Sequence, residues 1–211
     1  MILPARIPRW FDSLYPRRIW RMPDANRSLY LTFDDGPHPE ITTAVLDVLA
    51  QYKARATFFC IGDRVTRYPA VYQRILAEGH AVGNHTYRHL HGRKNADEDY
   101  LEDVSAAARC MDTRLFRPPY GRLRAAQQKG VEGMGMTTVM WTVLSGDYDV
   151  AMKKEECATR VLQQVCAGDI FLFHDSEKAA PRMFHALECL LDKGLREGYS
   201  FEAIRLSDLR L

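Results

Sequence analysis

The chain has 211 residues, enough for one domain with a substantial core at about 150 residues per domain. With 46% hydrophobic and 27% charged residues, 13 glycines and 10 prolines, it is neither a fibrous, a repeat nor a disordered chain. The formal charge of +2 is uneven: residues 1–30 hold six arginines against two aspartates and the remainder is net −2, so no basic stripe on the body points to nucleic acid.

Residues 1–28 read as a basic aromatic N-terminal arm, with Arg9-Trp10-Phe11 and Tyr15-Pro16-Arg17-Arg18-Ile19-Trp20-Arg21. Such a segment suits peripheral contact with a membrane or an acidic partner, or an arm whose rings pack on the domain. No window approaches the ~20 apolar residues of a membrane span, and Pro4, Arg6, Pro8 and Arg9 interrupt any secretory apolar run. Cys60, Cys110, Cys157, Cys166 and Cys189 are odd in number and widely spaced, without a CxxC pair, which favours reduced thiols. These features together predict a cytoplasmic protein, with membrane-peripheral or cell-envelope association as the alternative.

From residue 29 to 211 one domain is expected, in which short apolar runs alternate with amphipathic helices. Strands are predicted at 29–33, 56–61, 81–83, 115–116, 137–141, 170–173 and 200–204. Helices are predicted at 40–53, 65–78, 97–114, 155–165 and 183–196. The alternation calls for parallel strands with crossover helices. Polar clusters follow the strands at once: Asp34-Asp35-Gly36-Pro37, Asn84-His85, Arg117-Pro118-Pro119-Tyr120 and His174-Asp175. Carboxyl ends of parallel strands share one face, so clusters distant in sequence converge there.

In His85-Thr86-Tyr87-Arg88-His89 two imidazoles stand four residues apart, on one face of a helical turn if Asn84 caps it. A base and a third metal ligand must come from elsewhere, and Asp34 and Asp35 are the suppliers. Two imidazoles and a carboxylate suit zinc-assisted hydrolysis and equally a non-haem iron oxygenase.

Thr32-Phe33-Asp34-Asp35-Gly36-Pro37, His85-Thr86-Tyr87-Arg88-His89, Arg117-Pro118-Pro119-Tyr120-Gly121, Trp141 with Asp147, and Leu172-Phe173-His174-Asp175 together resemble the polysaccharide deacetylases, the NodB homology domain of carbohydrate esterase family 4. All five blocks occur in the family's order. The resemblance implies a single-domain, distorted (β/α) barrel of about seven parallel strands and one divalent metal ion, zinc first, with cobalt, nickel, manganese or iron as alternatives. It implies Asp35, His85 and His89 as metal ligands, Asp34 as base, His174 as general acid, Asp147 as the carboxylate that tunes it, and Arg117 as the residue that orients the base. The Tyr120 N–H would face the oxyanion, with Trp141 and Leu172 lining the acetyl pocket. Where the family often has Asp-Trp, this chain has Asp147-Tyr148.

The expected activity is removal of N-acetyl groups from N-acetylhexosamine units of a chitooligosaccharide or peptidoglycan glycan by a monomer. O-deacetylation of xylan-like polymers and deacylation of a lipid-linked sugar use the same residues. A carbohydrate-binding module without turnover and the oxygenase are the readings from other classes.

Overall fold

A strand covered on both faces must be apolar at successive positions, and Ser28–Asp34 is buried along its whole length. The computed structural model describes residues 5–23, 26–163 and 165–208; residues 1–4, 24 and 25 of the predicted arm lie outside the described residues. The strands are β1 (Arg18–Ile19), β2 (Ser28–Asp34), β3 (Ala56–Cys60), β4 (Ala81–Asn84), β5 (Leu115–Phe116), β6 (Thr137–Val139), β7 (Val143–Leu144), β8 (Ile170–His174) and β9 (Ser200–Phe201). Their order across the sheet is β1-β6-β5-β4-β3-β2-β8-β7, with β9 beside the start of β2. Every ladder is parallel, and the sheet curls into a distorted (β/α) barrel. The register sets Asp34 level with Phe59 on one side and with His174 on the other. Two sequence-distant clusters are thereby neighbours before any side chain is considered.

Helices cover the outside: α1 (Trp10–Leu14), α2 (Ile41–Gln51), α3 (Gly62–Arg67), α4 (Pro69–Ala77), α5 (Asp97–Ala108), α6 (Ala125–Gly133), α7 (Lys154–Leu162) and α8 (Ala180–Arg196). Along α8 the residues Met183, Ala186, Leu187, Leu190, Leu191 and Gly194 form one buried stripe. That is the helical period, and each large apolar side chain so buried contributes ~1.5–3 kcal/mol. The stripe joins a core with Phe33, Phe58 and Phe173, whose rings stack at centroid distances of 5.1 and 5.8 Å about Phe33. A second apolar cluster, containing Tyr30, Phe59, Val139, Trp141 and Leu172, draws on residues of β2, β3, β6 and β8 and the turn after β6.

The elements depart from the expected ones at several points. The helix expected at 65–78 is two, because Pro69 opens α4 and Tyr68 before it is non-helical at φ −126°, ψ 56°. The run 137–141 is strand only to Val139, and a further strand, β7, pairs β8. Helix α6 had no forecast; Gly130 and Gly133 dilute its pattern.

The N-terminal arm is part of the sheet. β1 pairs with β6 through Arg18–Thr138 and Ile19–Val139, while residues 5–7 run antiparallel to the other edge, with Leu144 N–H donating to the Ala5 carbonyl and Ile7 N–H to that of Thr142. One segment therefore touches both edges of the open barrel. Trp20 and Met22 are buried, whereas Trp10 and Leu14 are 65% and 60% exposed. No helix among the described residues is long and apolar enough to cross a membrane, and Cys60, Cys110, Cys157 and Cys189 are free thiols.

Candidate active site

The turn after β2 is held from below. Asp175, fully buried, accepts hydrogen bonds from the Gly36 N–H at 2.8 Å and from the Thr42 hydroxyl. A Cβ at residue 36 would stand 2.1 Å from that carboxylate, so glycine is required there for close approach rather than for turn conformation. Burial drives the Asp175 carboxyl up to about 7, against these hydrogen bonds. Asp35 adopts φ +85° at the top of the turn and points into the cleft.

The His85–His89 segment is not helical, which corrects the predicted turn. Asn84 ends β4; its Oδ1 accepts from the Thr86 N–H and its Nδ2 donates to the Val104 carbonyl. Thr86 and His89 are left-handed, at φ +63° and +59°, and this winding brings the imidazoles together, 5.1 Å between ring centroids. Among the described residues six non-glycines have positive φ, and four of them (Asp35, Thr86, His89 and Tyr120) lie in loops at the cleft; backbone strain concentrates where geometry must be imposed. The buried Asp103 of α5 fastens the loop, its carboxylate accepting from the Tyr87 and Arg88 amides and the Arg88 guanidinium. Sequence reasoning missed Asp103, although a charged residue on the buried stripe Tyr100, Val104, Ala107 was the available signal.

Asp35, His85 and His89 offer ligand atoms that all lie within 4.8 Å of one another. The His89 Nε2 is 3.3 Å and the His85 Nε2 4.0 Å from Asp35 Oδ1. His85 Nδ1 stands 2.8 Å from the Arg117 carbonyl, a bond that places the proton there and leaves Nε2 free to coordinate. Burial holds the His85 imidazole down at about 4, the neutral form a metal needs. Burial opposes charge on Asp35, yet the hydrogen bond from His89 and the neighbouring imidazoles keep its carboxyl below the usual range. The donor set fits a divalent metal ion of the borderline class.

Behind Asp34 lies Arg117, fully buried. Its Nη1 donates to Asp34 Oδ1 at 2.8 Å and to Thr32 Oγ1 at 2.7 Å, while Nε and Nη2 donate to the Val139 and Met140 carbonyls. The guanidinium also stacks 4.0 Å from the Phe59 ring centroid. Asp34 is thus aimed by a donor that is itself fixed on four sides. His174 Nδ1 lies 2.7 Å from Asp147 Oδ1, and the same carboxylate accepts the His174 N–H. Burial works against the imidazolium, but the Asp147 charge and hydrogen bond outweigh it and raise His174 to about 9.

Asp34, Asp35, His85, His89, Tyr120, Trp141, Leu172 and His174 line one cleft of about 330 Å³, joined by Gly121, Leu144, Tyr148, Ser176 and Lys178. Arg117 and Asp147 stand behind it. Gly121 and Arg122 N–H groups donate to the Pro118 and Pro119 carbonyls, bonds that leave out the Tyr120 amide. Trp141 Nε1 is buried without a partner, and a Cβ at residue 121 would stand 2.6 Å from its ring. Tyr148 meets His174 edge-on at 5.4 Å. Arg182, which the sequence did not single out, donates to the Asp147 and Lys178 carbonyls.

A parallel barrel with a triad able to hold a divalent metal at its strand ends, flanked by an arginine-held carboxylate and a carboxylate-held imidazole, has the makings of a metal-dependent hydrolase. Residues 21–139 match the model of the polysaccharide deacetylase family, and the chain belongs to that family. It is similar to a peptidoglycan-N-acetylglucosamine deacetylase of Bacillus cereus, 36% identical over 191 residues, 88% of this chain and 90% of that one. A chitooligosaccharide deacetylase of Azorhizobium caulinodans is 35% identical over 162 residues, 74% and 77% of the two chains. The crystal structure of a peptidoglycan N-acetylglucosamine deacetylase bound to an N-hydroxybenzamide superposes with a TM-score of 0.82 at 26% identity, covering 94% of this chain and 95% of that one.

Proposed function

We propose that this chain hydrolyses the acetamide of N-acetylhexosamine units in an oligo- or polysaccharide of the peptidoglycan or chitooligosaccharide type. The observation that carries this reading is the pairing of two opposite proton-handling groups level with each other on adjacent strands, Asp34 with Arg117 and His174 with Asp147, around one triad. The two relatives, which span most of both chains, support the substrate class.

Zinc is the proposed ion, held by Asp35, His85 and His89, and it would supply a Lewis acid for the acetyl carbonyl. Asp34, accepting from Arg117 and unable to rotate away, takes a proton from water as its oxygen attacks the carbonyl carbon. His174, kept protonated by Asp147, gives a proton to the nitrogen as the C–N bond breaks, so acetate and a free amine leave. The Tyr120 N–H is proposed as the donor to the developing oxyanion. Trp141 and Leu172 form the apolar wall against the acetyl methyl.

The test is acetate release from N-acetylglucosamine oligomers by metal-stripped protein, with and without added Zn²⁺ or Co²⁺, alongside Asp34→Asn. Metal should restore turnover, and the substitution should lower kcat by about 10²–10⁴-fold. Acetate from acetylated xylan and none from the oligomers would replace the reading by an O-acetyl esterase.

A further inference from the structure

Exposed positive charge flanks the cleft on two sides. On one wall the Tyr120 ring is 60% exposed, 4.8 Å from the His89 ring and stacked on His91 at 4.9 Å and 27°. The 3-10 turn Gly92–Lys94 follows and is fastened to the segment after Tyr120. Arg124 donates to the Arg93 and Asn95 carbonyls, and Gln127 to that of Gly92. A Cβ at residue 92 would stand 2.4 Å from the Arg122 carbonyl oxygen, so the two segments touch. Arg93, Lys94 and Arg122, all exposed, are therefore carried on two touching segments beside Tyr120. On the opposite wall the exposed Lys178 lines the cleft.

Among the described residues none of the four has a carboxylate partner, and several acids of the neighbouring segments are engaged elsewhere. Asp97 is paired with Arg124, Asp103 with Arg88, Glu132 with Arg17 and Glu177 with His38. Residues 31–211 are net −2, so this rim is a local departure from the charge of the body. Deacetylation needs none of these cations: the floor is served by Asp34, Asp35 and the histidines. A neutral glycan offers them nothing, whereas forked guanidiniums match carboxylate and phosphate oxygens.

We propose that the substrate is an acetylated glycan bearing anionic substituents, which Arg93, Lys94 and Arg122 beside Tyr120 and Lys178 opposite bind while the acetamide lies over Asp35, His85 and His89. This rests on the deacetylase reading and narrows it: a neutral chitooligosaccharide becomes the poorer substrate. The rim raises the local concentration of such chains and orients them, and its effect is screened by salt.

Three probes share one tetrasaccharide backbone of N-acetylglucosamine alternating with a substituted sugar: a lactyl carboxylate, its methyl ester, and a phosphate monoester. Binding by calorimetry and acetate release are measured on the zinc-loaded full chain. The anionic probes should exceed the ester about tenfold in affinity and kcat/KM at low salt, and lose that advantage near 1 M salt, where the Debye length is about 3 Å. Preference for the acid alone assigns carboxylates, and for the phosphate alone assigns phosphates. The triple substitution Arg93→Gln, Lys94→Gln, Arg122→Gln should bring the ratio of acid to ester towards one. Equal affinity and equal turnover for acid and ester, or a preference indifferent to salt and to the triple substitution, overturns the inference and leaves the deacetylase reading intact. Anion-selective binding without acetate from any probe overturns the deacetylase reading and the substrate assignment with it, and leaves the rim as an anion-binding surface only.

Discussion

Arg117 and Asp147 never reach the cleft surface, yet each decides what a neighbour in the cleft can do. Arg117 holds Asp34 in one orientation through a bond whose other donors are spent on Thr32, Val139 and Met140. Arg117→Met would strand a buried carboxylate, a loss of about 3–5 kcal/mol; chemical denaturation of the metal-free protein measures it, and an unchanged midpoint would show that Asp34 does not depend on the pair. Asp147 acts on protonation. His174 is raised to about 9, so the imidazolium is present below that value and lost as pH rises through it, and the ion pair's stabilisation is complete below the ordinary value near 6.5 and fades over the same rise. Asp147→Asn removes the largest opposition to burial and leaves only the Asp35 and Asp34 charges against it, so the basic limb of kcat/KM should move to lower pH while the acidic limb stays. A basic limb that does not move would assign it to another group.

At the scale of elements, helix α8 reaches back to the site it supports. Arg182, in its first turn, ties the Asp147 carbonyl to that of Lys178, so the loop carrying Asp147 and the loop after His174 are set against each other by one side chain. Arg182→Met should leave the buried stripe of α8 and the melting temperature nearly unchanged and lower kcat by about ten- to a hundredfold, the cost of a small misplacement; a fall in melting temperature matching the fall in kcat would reduce Arg182 to a packing residue. This clamp was illegible in the sequence, because a partly buried arginine bonding to carbonyls has no motif. The strand ends were legible, since long apolar runs closing on Asp34, Asn84 or His174 display the period and its boundary together. The two-residue strands β1 and β7 are too short to show a period. The loop of His85 and His89 eluded prediction for another reason: four-residue spacing suits a helix, and only the left-handed Thr86 and His89, secured by Asn84 and Asp103, give the same juxtaposition without one.

For the whole molecule, the open edge of the barrel is the point of weakness, and the arm spans it. β1 extends the β6 edge while residues 5–7 lie on β7, joining edges that the strand order leaves apart. Arg6 locks this closure through its ion pair with Asp169, whose carboxylate is 2% exposed and also accepts the Cys166 N–H. Burial holds that carboxyl above its usual range despite Arg6, so the pair itself adds little net stability, but an unpaired Asp169 would be costly. Arg6→Ala should therefore destabilise the protein by about 3 kcal/mol, and Arg6→Lys should recover part of that loss by restoring a charge without the fork. Asp169 precedes β8, whereas His174 ends it, roughly five residues or ~16 Å of strand away. The arm is thus tied to the end of the barrel remote from the cleft, and acetate release by the still-folded Arg6→Ala protein at low temperature should match the parent. Thermal unfolding read beside that assay separates closure of the barrel from construction of the site. If turnover collapsed while the melting temperature held, the arm would belong to the active site instead.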